Sequence, residues 1–489
     1  MARQAHIAVL GGGIAGLAAA YEILRLAREQ ARDVRITVYE SSGRTGGKVF
    51  TQREAGLVLE LGADSMLARK RAALDLCEEL GLAGELVGTG PLARRTYIVG
   101  NGELHPFPAG TYMGIPVTRS AIESCELLSD DGKRRALEDF STPDGSPPDG
   151  ADESLGRALR RRLGDEMVDR IAEAVLSGIY GGQLDDMSLL AAFPEFRHAE
   201  RTYGSVLRGF SEILSGARSQ SRGPVAKPGA GSMFVTLGGG LDTLAARLAE
   251  TLERASVTMA RDTEADSLRS DPAGSYVLSL RERDGGRDAV REVACDGVIV
   301  ATPAYEAARI LRDWPSLSAM LADIPYTSVA SLSFVCRESD VGRELDGAGF
   351  VVPRAEGRAL TACTWVSVKW PHASADGDLV VRCFLGRAGD GEGLAGRSDE
   401  ELAADAVRDM AALFGYTGPN TPRGMARWER AMPQYRVGHL ARMDALDGLV
   451  ASELPRVGLA GAAYRGVGIS DTVVSAQGAA RRVFAALVD

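Results

Sequence analysis

His6-Ile7-Ala8-Val9-Leu10-Gly11-Gly12-Gly13-Ile14-Ala15-Gly16 decides how the chain begins, because an apolar run passes straight into a glycine-rich turn. The run predicts a buried strand over residues 6–10. After the turn, Ile14, Leu17, Ala18, Tyr21 and Leu24 share one face of a helix that continues to about Arg28. Val34–Tyr39 reads as the second strand, and Glu40 ends it. Strand, turn, helix and strand make a βαβ unit, with the hydrophobic pattern switching between strand and helix periods in the right places. Gly11, Gly13 and Gly16 form GxGxxG at its first turn. The first glycine permits the tight turn, the second lets the backbone approach a pyrophosphate, and the third lets helix and strand pack closely. The helix N-terminus adds free N–H groups and a positive dipole end. Glu40 stands where a carboxylate can accept hydrogen bonds from ribose hydroxyls. The unit therefore predicts a dinucleotide site, the alternative being a glycine-rich turn without a ligand.

Working outward, Ser41-Ser42-Gly43-Arg44-Thr45-Gly46-Gly47-Lys48 supplies a second glycine pair where a ligand lying across the domain would pass. Glu60-Leu61-Gly62-Ala63-Asp64-Ser65 gives another small-residue turn. A nicotinamide cofactor needs neither, so the dinucleotide is read as FAD. Far along the chain, Leu459-Ala460-Gly461 precedes Gly466-Val467-Gly468-Ile469-Ser470-Asp471 and a helix. Glycines near both ends imply one cofactor held by N- and C-terminal segments together.

The chain has 489 residues, more than one ordinary core serves, so two or three structural units are expected. With 45% hydrophobic and 25% charged residues it reads as a soluble globular protein. Lys plus Arg number 56 against 66 for Asp plus Glu, and the net charge of -10 argues against a nucleic-acid binder. A local basic pocket for an anionic small substrate remains compatible with it. The cysteines, Cys77, Cys125, Cys295, Cys336, Cys363 and Cys383, form no CxxC pair, and the histidines are dispersed, so no metal is expected. No secretory leader is read ahead of the first strand, so reduced thiols in a cytoplasm are expected. No apolar run reaches the roughly 18 residues of a membrane span. No Ser-His-Asp set or acid–base carboxylate pair stands out, which suits a cofactor that carries the chemistry.

Residues 141–150 and 215–232 read as linkers or surface loops, and 154–176 as a helix charged on one side. Residues 233–237 read as a strand, 238–240 as a turn and 241–255 as a helix. Further strands are expected at 257–259, 276–283 and 297–301, with 328–336 and 379–385 building a second sheet. A helix at 402–414, a strand at 457–460 and a helix at 471–488 complete the pattern.

The arrangement resembles the FAD superfamily of monoamine oxidase, phytoene desaturase and protoporphyrinogen oxidase. Within it, the resemblance to the oxygen-dependent porphyrinogen oxidases runs nearly the whole chain. It rests on Leu104-His105-Pro106-Phe107-Pro108 with Met113-Gly114-Ile115-Pro116, and on Leu176-Ser177-Gly178-Ile179-Tyr180-Gly181-Gly182. Met432-Pro433-Gln434-Tyr435 with Gly438-His439, and Gly466-Val467-Gly468-Ile469, add to it. Thr361-Ala362-Cys363-Thr364-Trp365 with Lys369-Trp370-Pro371-His372 resembles the branch of Gram-positive bacteria, whose members act on coproporphyrinogen III.

The resemblance implies an α/β fold (α+β overall): a Rossmann-like FAD-binding domain of the amine-oxidase type, a mixed-sheet substrate domain and a helical subdomain. Residues 1–75, 233–306 and 431–489 would form the FAD-binding domain. Residues 76–232 would form the substrate and helical region, where relatives touch the bilayer, and 307–430 the substrate-binding domain. By carry-over, Gly11, Gly12, Gly13, Ile14, Ala15 and Gly16 hold the pyrophosphate, and Glu40 and Ser41 lie at the adenosine ribose. Lys48, Gly62, Ala63, Asp64 and Ser65 fall along the diphosphate, ribityl chain and flavin. Ala265 stands at the adenine contact where the family usually has valine, a change that a backbone contact survives. Trp428 matches a cofactor-proximal tryptophan or is a core aromatic, and Gly468, Ile469 and Ser470 match the segment that closes on the flavin. Lys70 matches a basic residue at the pocket mouth, suited to a substrate propionate, and Ile179 and Tyr180 match the loop facing the macrocycle. His105, His198, His372 and His439 are read as structural.

No catalytic side chain is assigned, flavin N5 carrying the reaction, and no metal is implied. The implied activity is oxidation of coproporphyrinogen III by oxygen to coproporphyrin III and hydrogen peroxide, in haem biosynthesis, with product passing to a ferrochelatase. The implied setting is a cytoplasmic monomer or weak dimer, its membrane association weak or absent and confined to the inner face of the cell membrane. Protoporphyrinogen IX as substrate, a flavin amine oxidase, and a non-catalytic FAD module stay open as alternatives.

Overall fold

The structure is a computed structural model that describes residues 4–148, 150–220, 232–272, 274–284, 287–374, 377–389 and 394–488. The first strand, Ala5–Leu10, sits at the centre of a five-stranded sheet in the order Thr258–Ala260, Val34–Tyr39, Ala5–Leu10, Gly297–Val300, Val457–Leu459. Every pair in it is parallel. Its side chains alternate between two buried layers, which explains why the strand reads as a continuous apolar run. Ile7 and Val9 join the core under the helices Ile14–Glu29, Asp242–Arg254 and Ile469–Val488. Ala8 and Leu10 join the opposite core, with Leu268, Leu278 and Leu280 of an antiparallel three-stranded sheet. Glu22, in the apolar face of the first helix, is buried and held by Arg25 and Arg481.

That three-stranded sheet is Thr263–Ser270, Tyr276–Asp284 and Arg287–Cys295. Sequence reading finds only its middle strand, because the flanking two carry charges on a half-exposed face that blurs the apolar alternation. The final helix begins at Ile469, two residues ahead of the expected start.

A second, seven-stranded sheet runs Gly424–Pro433, Tyr326–Cys336, Leu379–Leu385, Leu360–Trp365, Gly349–Val351, Tyr97–Gly100, Glu103–Pro106. Only the Gly349–Val351 and Tyr97–Gly100 pair is parallel. So residues 97–106, from the region 76–232 expected to hold substrate and helical parts, contribute an edge of this sheet. The helix Asp399–Phe414 covers one face. It starts ahead of the expected residue 402 because Ser398 Oγ accepts from the Glu401 N–H (3.2 Å) while Glu401 accepts from the Ser398 N–H (2.7 Å), a capping box.

Between residues 119 and 220 the chain is mainly helical around its own core. The single helix expected at 154–176 is broken after Leu163 by Gly164 at φ 86°, and a π-turn over Val168–Ala172 leads into Glu173–Tyr180. Arg162 and Asp139 form a fully buried ion pair there. Residues 215–220 of the expected 215–232 loop continue the helix Val206–Gln220, while 221–231 lie outside the described residues, as does 149 of the expected 141–150 loop. Among the described residues no helix is long and apolar enough to cross a membrane, and no cluster suits a metal ion. All six cysteines are buried and free.

Candidate dinucleotide site

The C-terminal ends of the parallel strands open into a cleft of about 900 Å³, at the upper end of the roughly 300–1,000 Å³ usual for ligand sites. Two glycine turns meet at its floor. Gly11 adopts φ 102°, and a Cβ at Gly16 would stand 1.8 Å from the Gly11 carbonyl oxygen, so the third glycine is required by helix–strand contact. The Gly46 N–H donates to Gly12 O (2.9 Å), and a Cβ on Gly47 would lie 3.1 Å from Gly13 Cα. Only hydrogen at these positions leaves bare backbone facing the cleft.

Glu40 closes one end of the cleft. Its Oε2 accepts from the Gly12 N–H (2.7 Å), and its Oε1 accepts from the Ser42 N–H and hydroxyl (both 2.8 Å). The Ser42 hydroxyl has a second acceptor in Arg44 O at 2.9 Å, so a ribose hydroxyl can take its place on the carboxylate. Ala265 lines the same end, beside a break in strand register, with its carbonyl accepting from Arg309 (2.9 Å).

Lys48 lines the cleft with its Nζ donating to Ala431 O and lying 5.7 Å from the Tyr326 ring centre. Burial pushes its pKa down to about 8, which leaves it mostly cationic at neutral pH. Thr302 also lines the cleft, and its Oγ1 is buried without a hydrogen-bond partner. An unpaired buried hydroxyl costs about 1–3 kcal/mol unless a ligand satisfies it. A cation in the cleft wall, an unsatisfied hydroxyl, bare glycine backbone and a helix N-terminus suit a dinucleotide diphosphate. The residues present fit FAD.

Of the residues singled out from sequence, Gly11, Gly13, Ile14, Ala15, Glu40, Ser41, Lys48, Ala63, Ala265 and Ile469 line this cleft. Gly12, Gly16, Gly62, Asp64, Ser65, Trp428, Gly468 and Ser470 do not line it. A Cβ on Gly62 would strike Lys48 O at 1.9 Å, and Arg382 donates to Gly62 O at 2.5 Å. Asp64 pairs with Lys369 (2.8 Å) and accepts from Ser65 (2.7 Å). Burial alone would raise its pKa, but Lys369 and Arg382 outweigh that and hold the carboxyl well below the usual range. Trp428 donates from Nε1 to Leu61 O (2.7 Å), fixing the start of the same turn. The Ser470 hydroxyl donates to Lys70 O (2.8 Å). The Lys70 ammonium pairs with both oxygens of Asp471, at 2.8 and 2.7 Å. Ile179 is 43% exposed, while Tyr180 is buried against Phe193 and Tyr435.

Sequence reading misses Thr302, Pro303, Tyr305, Arg309 and Tyr326, all in the wall. Thr302-Pro303 follows the strand Gly297–Val300, and the carboxyl end of a parallel strand was a usable signal. The two tyrosines and Arg309 come from elements with no local motif.

This cleft, walled by both ends of the chain on a Rossmann-like sheet, defines a flavoprotein. A family model described as flavin containing amine oxidoreductase matches residues 14–484. A coproporphyrinogen III oxidase of Bacillus subtilis (strain 168) is 36% identical over 468 residues, 96% of this chain and 95% of that one. A protoporphyrinogen oxidase of Bos taurus is 28% identical over 98% of both chains. A crystal structure from Exiguobacterium sp. 255-15, named for protoporphyrinogen oxidase, matches with TM-score 0.83 and 32% identity over 99% of both chains. The chain belongs to the flavin-containing amine oxidoreductase family and, within it, to the branch of the coproporphyrinogen III oxidases. Its cofactor is FAD.

Proposed function

We propose that the protein oxidises coproporphyrinogen III to coproporphyrin III in three two-electron rounds, each consuming one oxygen and releasing one hydrogen peroxide, as a step of haem biosynthesis. The observation that carries this reading is the near full-length match to enzymes named for that substrate. When bound, FAD would supply two-electron acceptor chemistry at a meso carbon of the substrate, with oxygen as the final acceptor. The chain's own residues position and shield. The Gly11–Ala15 backbone and Lys48 hold the diphosphate, Glu40 and Ser41 the ribose, and the Ala265 backbone the adenine. Gly62, Asp64, Ser65 and Trp428 fix the turn at the flavin, and Gly468, Ile469 and Ser470 close on it from the C-terminal segment. Ile179, exposed at the end of the helix Glu173–Tyr180, and Tyr180 beneath it give the macrocycle an apolar face. Lys70 pairs with a propionate, exchanging it for Asp471.

The same reading places the enzyme in the cytoplasm as a monomer or weak dimer, peripheral at most to the inner membrane face, its product taken by a ferrochelatase. Protoporphyrinogen IX is the second reading, favoured by the names of the bovine relative and the Exiguobacterium structure. Aerobic turnover of both porphyrinogens by FAD-loaded protein, followed by porphyrin fluorescence and peroxide, separates them. Faster oxidation of coproporphyrinogen III is expected; preference for protoporphyrinogen IX installs the second reading, and oxidation of neither removes both.

A further inference from the structure

The segment Pro433-Gln434-Tyr435-Arg436-Val437-Gly438-His439 touches both sides of the site. Tyr435 is 1% exposed, and its hydroxyl donates to Ala462 O (2.6 Å) while accepting from the Gly466 N–H (2.7 Å). Those contacts span a loop whose Gly461, Ala462, Ala463 and Val467 line the FAD cleft. The Tyr435 ring stacks on His439, centres 4.0 Å apart and planes 12° from parallel. His439 Nε2 lies 2.8 Å from Tyr464 O, and since a carbonyl only accepts, that nitrogen carries the proton. The loop is therefore pinned at residues 462, 464 and 466 by two stacked rings.

The same segment grips the helical region. Gln434 Nε2 donates to Tyr180 O (2.7 Å), and the Tyr435 ring lies 5.5 Å from that of Tyr180. The Ser188 N–H donates to Tyr435 O (2.7 Å). Asp152 accepts from the Gly438 N–H (2.8 Å) and the Ser188 hydroxyl (2.6 Å) through one oxygen. Tyr180 and Ile179 end the helix assigned to the macrocycle.

We propose that Tyr435 is a positioning residue that sets the Gly461–Val467 loop against the cofactor and ties its placement to the helix carrying Ile179 and Tyr180. The link to the substrate rests on the function proposed above; the link to FAD does not. Burial keeps the phenol protonated, so the hydroxyl serves as donor and acceptor at once across the working pH range.

Tyr435→Phe removes both loop bonds and keeps the ring stack and the backbone contacts. In full-length protein it is expected to weaken FAD binding about tenfold, to alter the visible circular dichroism of the bound flavin, and to lower kcat about tenfold with KM within about threefold. Tyr416→Phe is the control, because that hydroxyl is as buried and makes one bond, to Pro419 O at 2.9 Å, in the core of the other sheet. It is expected to lower Tm similarly and leave the flavin unchanged. Wild-type FAD affinity and dichroism in Tyr435→Phe, or an equal flavin change in Tyr416→Phe, overturns the proposal. Should the wild type oxidise no porphyrinogen, the FAD dissociation constant and dichroism still decide it.

Discussion

Two loops close the same cleft in different ways. The N-terminal turn, Gly11 to Gly16, is held by close backbone approach, Gly16 against Gly11 O within the turn, Gly11 against Ala301 O and Gly13 against Gly47, with glycine where a side chain would collide. The C-terminal loop, Gly461 to Gly468, is held from outside by Tyr435, His439 and Ser475, the last accepting from the Gly461 N–H at 3.1 Å. The first is a close backbone approach that tolerates one residue type. The second is a tertiary assembly in which each side chain carries part of the task, so it should fail gradually where the first fails at once.

The sharpest break in that comparison is Gly16→Val. Its Cβ would fall 1.8 Å from Gly11 O and 3.3 Å from the Val9 side chain, with no flexible neighbour able to yield. A destabilisation above about 4 kcal/mol is expected, together with loss of yellow colour from whatever protein accumulates. The ratio of flavin to protein absorbance and the thermal midpoint measure it. A folded, fully flavinated variant would show that the turn is looser than its contacts imply.

The contrast also explains what could be read from residues alone. GxGxxG and the Gly46-Gly47 pair announce themselves because their chemistry lies in backbone conformation, which local sequence encodes, and Glu40 because a carboxylate ending the second strand belongs to the same motif. The parallel sheet is legible for the same reason, its strands being short apolar runs buried on both faces. Thr263–Ser270 and Arg287–Cys295 are not, since half of each faces water and carries charge. Tyr305, Arg309 and Tyr326 reach the cleft only through the folded arrangement, as does the pairing of Lys70 with Asp471 across 401 positions of sequence. His439 reads as structural from sequence, and its position on the loop shows what that structure serves.

A smaller effect tests the C-terminal loop through pH. Burial pushes the His439 pKa down from 6.5 to about 4, with Arg442 and Arg465 adding to the effect while the bond to Tyr464 and the nearby Asp152 oppose it. The unfolded chain then binds a proton that the folded chain refuses between those values. Stability falls as pH drops from about 6.5 towards 4, by about 3 kcal/mol in all. His439→Gln keeps a donor for Tyr464 O and has nothing to titrate, so its acid limb should be flatter. Chemical denaturation at a series of pH values compares the two, and parallel curves would mean that His439 does not carry this dependence.

The gentlest intervention is at the mouth, where Lys70 and Asp471 join the turn after Ser65 to the start of the final helix. Their side chains are 40% and 23% exposed, so the pair contributes at most about 1 kcal/mol to stability. On the proposed function its weight falls on the substrate, because a carboxylate already occupies the ammonium that a propionate would need. Lys70→Ala should raise KM for coproporphyrinogen III several-fold with little change in Tm. Asp471→Asn should lower KM, since Lys70 is then free of its competitor. Opposite shifts in KM from the two ends of one ion pair mark a cation that changes partners. Equal losses of Tm with KM unmoved would mark a strut between the turn and the final helix, and Lys70 would then not be the propionate contact.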